Sequence, residues 1–445
     1  MRDTRTEEGP AAVPEGATQA GEVQARWAWT EPGVWTERML TALEKGVKGG
    51  CWFSLMDKVY APRTLQAAWE RVRHNGGSAG VDRQTVETFA QDDAANLQRL
   101  FEALEAGTYR PQAIRRVYIP KPGSREKRPL GIPTVRDRVV QTALRYALEP
   151  IYERDFHPHS FGFRPGRGCK DALRRVDALL KAGYTHVVDA DLKGYFDSIP
   201  HEPLMARVAA KVSDGKVLSL VRAFLSQGIF EGLETWTPEE GTPQGAVISP
   251  LLSNLYLDPL DHLMAQGGYE MVRYADDFVL LCRSAEEAQN ALERVRAWCR
   301  DAGLTLHPEK TRVVDATQPG GFDFLGYHFE RGKKWPRKKS CQKLQDALRA
   351  KTKRTQGHSL AYIIADVNRT LRGWFGYFQH SHRYTFPALD GWVRMRLRSI
   401  LRKRAGRKGR GRGADHHRYP NAYFAKQGLY SLATAHVQAC QSARR

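Results

Sequence analysis

Tyr274-Ala275-Asp276-Asp277 separates two short apolar segments, 269–272 and 278–282, and reads as the turn of a β-hairpin. Two adjacent carboxylates repel each other. A buried or half-buried pair needs a cation or hydrogen-bond donors to be tolerated. Two readings follow from the tetrapeptide alone. One is a solvated Asp-Asp turn, since Asp is a common turn former. The other is a grip for a divalent ion, because Mg²⁺ takes oxygen ligands and few protein carboxylates. The rest of the chain decides between them.

A β-branched segment, 184–192, ends in acid and supplies the next candidate, Asp191. Asp189 lies two residues earlier, on the same face of that strand, and competes for the role. Asp191 is favoured because Phe196 follows five residues later, where a ring could sit beneath an incoming sugar; Asp197 reads as support for the following turn. On neighbouring antiparallel strands, Asp191, Asp276 and Asp277 can converge on one point. Three such carboxylates can hold two Mg²⁺ roughly 3.5–4 Å apart, the arrangement used for in-line displacement at phosphorus.

Charge points the same way. The 445 residues carry a net charge of +20, which suits a polyanionic partner, most simply nucleic acid. After residue 330 there are 28 Lys and Arg against four Asp, so residues 1–330 are left at −4 and the last quarter is the expected phosphate-contacting surface. Hydrophobic residues make up 41% of the chain, as in a folded soluble protein. The six cysteines form no C-x-x-C pair, which argues against a disulfide framework, a zinc finger or a zinc-stabilised nuclease module. No apolar run approaches the roughly 20 residues needed to span a bilayer, and the N-terminus has no secretory pattern. The expected setting is a reducing cytosol.

Residues 1–25 are expected to be disordered and 26–110 to be helical, with a glycine-rich loop at 75–82 that is either a connector or an RNA contact. Residues 115–133 alternate as strand, loop and strand. The basic tip, 121–128, could hold a triphosphate, with Lys as a point charge and Arg as a fork. Helices are expected at 136–152, 169–181, 201–212, 216–227, 250–266 and 285–302, and strands at 270–273, 278–282, 311–315 and 322–329. Long basic helices follow at about 340–354, 359–379 and 385–404, then a Gly/Arg-rich linker and a short terminal segment.

The motifs, in order, resemble those of the reverse transcriptase/maturase proteins encoded by bacterial group II introns, over about residues 37–435. Arg128-Pro129-Leu130-Gly131-Ile132-Pro133 is similar to their fingers motif, and Ser160-Phe161-Gly162-Phe163-Arg164-Pro165-Gly166 to the block before the first palm helix. Asp191-Leu192-Lys193-Gly194-Tyr195-Phe196-Asp197 and the opening tetrapeptide are similar to the two catalytic blocks, with Pro243-Gln244-Gly245 between them. Glu309-Lys310-Thr311 and Phe324-Leu325-Gly326-Tyr327 resemble later palm motifs, and Leu371-Arg372-Gly373-Trp374-Phe375-Gly376-Tyr377-Phe378 the thumb signature. The Ala at the second position of the tetrapeptide is the usual form among the intron-encoded enzymes.

The resemblance implies an α+β right-hand polymerase followed by an all-α thumb: fingers and an antiparallel palm sheet over 111–330, thumb or maturase helices over 331–404, and a basic linker with a DNA-contacting segment over 405–445. It implies an RNA-directed DNA polymerase that also binds its intron RNA to promote splicing. Asp191, Asp276 and Asp277 would be ligands to two Mg²⁺. Lys121 and Arg128 would meet the triphosphate, Phe196 would gate the sugar and Gln244 would line the nucleotide pocket. Arg164, Arg372, Lys403, Arg407, Lys408 and Arg410 are the expected contacts to nucleic acid. Partners would be intron RNA, an RNA template with a DNA primer, target DNA and dNTPs, and a homodimer is allowed. Trp374 and Trp392 are expected to pack in the core. His416 and His417 lack Cys partners, so they are expected at the surface, and no terminal metal-bound endonuclease is expected. The alternatives are a splicing-only RNA-binding maturase and a related polymerase recruited to defence or repair.

Overall fold

The computed structural model of the chain describes residues 25–47, 50–120, 127–232, 234–411 and 413–442. The expected disordered tail and Lys121 lie outside the described residues, apart from residue 25.

Strand order and register follow from where the apolar residues fall. β1 (Ile114–Pro120) and β2 (Lys127–Ile132) form an antiparallel hairpin, and β3 (His186–Asp191) is the strand that ends in acid. A short hairpin that the sequence did not suggest, β4 (Ile229–Glu231) and β5 (Glu234–Trp236), adds to the first pair in the order β2-β1-β4-β5, with β1 and β4 parallel. These four are the fingers sheet. β6 (Glu270–Tyr274), β7 (Asp277–Cys282) and β8 (Arg312–Asp315) complete the palm sheet, order β6-β7-β3-β8, antiparallel throughout.

The palm sheet is buried on both faces, which is why β7 reads as an unbroken apolar run. Phe278, Leu280 and Cys282 point into the main core, with the helices Ser249–Gln266 and Ala285–Asp301. Val279 and Leu281 point the other way, into a second core shared with the helix Cys169–Lys181. The N-terminal helices pack onto the helix Val135–Glu153, and the fully buried Trp69 donates its indole N–H to Asp93 at 3.0 Å.

Residues 322–329 are not one strand. β9 (Phe322–Phe324) and β10 (Tyr327–Glu330) are antiparallel neighbours turned at Leu325-Gly326, and β11 (Lys333–Pro336) extends this third sheet. Strand structure therefore continues past residue 331, and the thumb helices begin with Lys338–Lys351, followed by Leu360–Phe378 and Thr385–Arg404.

The last forty residues also depart from the expected linker and separate segment. Helices Ala414–Arg418, Asn421–Lys426 and Leu432–Ser442 fold back onto the thumb, where Phe424 and Leu432 are fully buried beside Val393 and Leu397. Asp390 accepts the backbone N–H groups of Leu432 (2.9 Å) and Ala433 (3.1 Å), and Asn368 brackets the return with bonds to the Gly428 carbonyl and the Tyr430 N–H. The helix beginning at Leu432 thus has its first donors satisfied by a carboxylate from another helix.

Candidate active site

Tyr274 pairs with Asp277 across the β6–β7 hairpin, leaving Ala275 and Asp276 as the two central turn residues. Ala275 is buried and takes φ of 59°, a left-handed conformation that costs a non-glycine residue about 1 kcal/mol. The surroundings hold it there. Phe161 N–H donates to the Arg273 carbonyl (2.9 Å), and Arg273 N–H donates to the His159 carbonyl (3.0 Å). This lays residues 159–162 alongside β6. At Gly162 a Cβ would sit 2.2 Å from the Ala275 nitrogen, so only glycine lets the two backbones approach. That is a physical reason for the Ser-Phe-Gly-Phe-Arg block to precede the acidic turn.

Across the sheet, Asp191 stands directly opposite Asp277, and Asp189 opposite Val279. Burial pushes the Asp277 carboxyl up to about 7, with the carboxylates of Asp276, Asp189 and Asp191 adding to it. Burial also raises Asp276, where Asp191 contributes and Arg128 and Arg273 oppose. Asp189 rises to about 6 through burial, against the pull of Arg312, whose guanidinium stands 3.4 Å away. All four carboxylates thus share one electrostatic neighbourhood, with Arg312 beside Asp189 and the charge of Arg128 reaching Asp276.

Among the described residues, no three His, Cys, Asp or Glu side chains are arranged as they stand to hold a metal ion. Asp191 instead turns to Lys310, whose ammonium lies 2.5 Å from it. The loop carrying Lys310 is fixed to the strand end by the His307 N–H on the Asp191 carbonyl (2.7 Å) and by the Lys193 N–H on the Thr305 carbonyl (2.8 Å). The donor set fits a hard divalent cation. It is all oxygen and crowded with like charge, and a cation, Lys310, already lies against it.

Between palm and fingers lies a cleft of about 400 Å³, lined by Arg116, Gly131, Asp197, Trp236, Thr242 and Gln244 among others. Gln244 donates its side-chain amide to Asp197 (3.3 Å), and its carbonyl accepts the Gly131 N–H of β2 (2.6 Å). Gly245, with φ of 109°, lies so close to β2 that a Cβ would meet the Gly131 carbonyl oxygen at 2.3 Å. The Pro-Gln-Gly loop therefore packs on the fingers as well as the palm. Phe196 is half-buried against the main core and does not line this cleft; its carbonyl accepts the Thr242 N–H (2.6 Å).

Asp197 does support a turn through its backbone, donating to the Gly194 carbonyl, but its side chain belongs to the cleft with Gln244. Arg116, stacked over Trp236 at 4.9 Å, and Lys310 are further site residues that sequence reasoning passed over. Lys310 lay inside a quoted motif, and only its partner was missing.

Arg164 requires a correction. It is 6% exposed, holds the Glu153 carboxylate at 2.7 Å and donates to the carbonyls of His157 and Ser160. It ties the end of the helix Val135–Glu153 to the loop 157–160, and its guanidinium is taken up by these internal partners. By contrast Arg372, Lys403, Arg407, Lys408 and Arg410 are exposed, Arg372 over the Tyr430 ring at 5.4 Å and Arg407 at 3.9 Å from Asp415. Trp374 and Trp392 are half-buried in core clusters, whereas Tyr384 is 68% exposed. His416 and His417 are exposed. The six cysteines are free thiols, and among the described residues no helix is long and apolar enough to cross a membrane.

Comparison with known proteins matches residues 119–329 to the reverse transcriptase (RNA-dependent DNA polymerase) family and residues 341–419 to the group II intron maturase-specific domain. Protein YkfC of Escherichia coli K12 is 33% identical over 349 residues, covering 69% of this chain and 86% of that protein. The group II intron-encoded protein LtrA of Lactococcus lactis is 38% identical over 207 residues, 46% of this chain but 34% of LtrA. Among solved structures, a chain of a partial Cas6-RT-Cas1–Cas2 complex aligns over 56% of this chain and 41% of its own, with a TM-score of 0.37 and 22% identity. An acidic turn facing a strand-end Asp, a fingers sheet over a cleft and a helical maturase region lie in this order along one chain, and the chain belongs to the family of group II intron-encoded reverse transcriptases and maturases.

Proposed function

We propose that the chain extends a DNA primer on an RNA template by two-metal nucleotidyl transfer, and that it binds the intron RNA through its thumb. The observation that supports this reading most directly is the hairpin turn that sets Asp277 opposite Asp191 and carries Asp276 beside it, with the charges of Asp191 and Arg128 reaching Asp276.

Asp191, Asp276 and Asp277 would hold two Mg²⁺, which lower the pKa of a primer 3′-hydroxyl and neutralise the triphosphate. The remaining work falls to the chain itself. Arg128, whose charge reaches Asp276, would offer a guanidinium fork suited to a phosphate oxygen. Gln244, fixed by Gly131 and Asp197, would line the nucleotide pocket with its side-chain amide. Phe196, whose carbonyl accepts the Thr242 N–H, would gate the sugar only if its ring turned from the core toward the cleft. Lys310 would release Asp191 as the site fills, leaving a proton donor beside it. Exposed Arg372, Lys403, Arg407, Lys408 and Arg410 would neutralise RNA or target-DNA phosphates, work suited to a cytoplasmic protein.

The test is Mg²⁺-dependent extension of a DNA primer on an RNA template, beside an Asp276→Ala/Asp277→Ala variant. Extension that persists in the variant would overturn the site assignment. Loss of extension with RNA binding retained is the expected result.

A further inference from the structure

Beneath the acidic turn lies a charged group that the chemistry above does not use. Arg273 is fully buried, and Asp261 is 2% exposed. The guanidinium donates to both Asp261 oxygens (Nε to Oδ1, 2.8 Å; Nη2 to Oδ2, 2.5 Å), to Asn254 Oδ1 (2.9 Å) and to the Ala275 carbonyl (2.9 Å). Asn254, itself 1% exposed, donates to the Gly162 carbonyl (2.8 Å), on the backbone pressed against Ala275.

Stability alone does not call for this arrangement. Apolar side chains of similar volume often replace a buried ion pair with no loss, because the pair must first be desolvated. What an apolar side chain cannot do is donate to the Ala275 carbonyl. That carbonyl and the Asp276 N–H are two edges of one peptide, the central peptide of the turn, whose rotation interconverts turn types. With the carbonyl held inward by Arg273, the N–H faces the Asp276 carboxylate. A rotated peptide would turn that N–H away and leave the Asp276 carboxylate without the donor that orients it.

We propose that Arg273 is a positioning residue for nucleotidyl transfer, locking the Ala275–Asp276 peptide so that the Asp276 carboxylate is presented to the metal site. Asp261 and Asn254 are its supports: Asp261 aims the fork, and Asn254 ties it to the Gly162 backbone. The inference rests on the reading of Asp276 as a metal-holding residue.

The experiment compares the full chain with Arg273→Met/Asp261→Leu, which removes the pair without leaving a buried charge, and with Arg273→Lys, which keeps the charge but not the fork. Four quantities are measured: the thermal midpoint, Mn²⁺ affinity by electron paramagnetic resonance without nucleic acid, kcat, and KM for dNTP. The double variant is expected to fold, to bind Mn²⁺ about tenfold more weakly and to lose about a hundredfold in kcat with KM little changed, as misplacement of a reacting group does. Arg273→Lys should lose about tenfold in kcat, and it decides the matter if the double variant does not fold. Wild-type Mn²⁺ affinity and kcat in the folded double variant, or in Arg273→Lys, would overturn the proposal. Asp276→Asn separates the two levels: if it keeps extension and Mn²⁺ binding, the site reading fails. If it loses both while the Arg273 variants lose neither, only the positioning role fails.

Discussion

In the palm, Arg273 and Asp261 hold each other out of water and four carboxylates crowd one end of the sheet. In the thumb, 28 cations after residue 330 face only four acids. Each of those acids is engaged locally: Asp346 with Arg349, Asp366 with Lys351 and Arg369, Asp390 with backbone N–H groups, and Asp415 with Arg402. The palm keeps like charge together inside, where it is costly and therefore directional. The thumb leaves most of its charge outside, where it is cheap to maintain and additive. Chemistry on a reacting phosphate needs the first arrangement, and grip on a phosphate backbone needs the second.

The sharpest way to break this contrast is the Asp276→Ala/Asp277→Ala variant. Primer extension should fall by about a thousandfold or more, while RNA affinity from filter binding should hold within about threefold, since the charge proposed to contact phosphates lies elsewhere. A parallel fall in RNA binding would show that the two regions do not divide the work.

The next effect tests whether the tail belongs to the thumb. Phe424→Ala should destabilise the protein by about 3–5 kcal/mol, the usual cost of emptying an aromatic site in a core, read from urea unfolding. Deleting 405–445 should then impair both primer extension and nucleic-acid binding. An intact urea midpoint in Phe424→Ala would restore the tail to a separate segment.

A third prediction turns on the cost of crowding acids. With the folded carboxyl of Asp277 near 7 against an ordinary value of 3.8, the native state binds more protons than the unfolded chain between those limits. Stability of the metal-free protein should therefore fall as pH rises from about 4 through about 7, and the penalty should be complete above that. Asp277→Asn should remove it, raising stability at pH 8 by an amount on the order of 1–3 kcal/mol while abolishing extension. A lower thermal midpoint for Asp277→Asn at pH 8 would contradict the crowded-acid account.

The smallest effect belongs to the thumb surface. Lys403→Ala/Lys408→Ala/Arg410→Ala should lower the slope of log affinity against log salt by about 2–3, with extension of a preannealed, saturating primer unchanged. An unaltered slope would move the RNA grip to another face.

The palm and thumb helices were legible in the sequence because burial on one or two faces writes a period into the chain. The segments 278–282 and 385–404 reappear almost residue for residue as Asp277–Cys282 and Thr385–Arg404. The acidic turn was legible for another reason: its chemistry is local, two carboxylates at a hairpin tip. The β4–β5 hairpin was not, since its three-residue strands are too short to carry a period.

The sequence by itself carried the ordered motifs of the resemblance, the three acids as candidates, and the separation of a region of slightly negative charge from a basic helical one. Only the tertiary structure decided which charges work. Arg164 and Arg273 look alike in sequence to the surface arginines of the thumb. Burial beside Glu153 and Asp261 turns the first into a tie and the second into a support for the turn. Lys310 stands 119 residues from the carboxylate it faces, and Phe424 is buried against helices it follows in the chain. The meaning of a charged or aromatic side chain depends on the dielectric and the partners around it. Those come from distant parts of the chain, which no local pattern records.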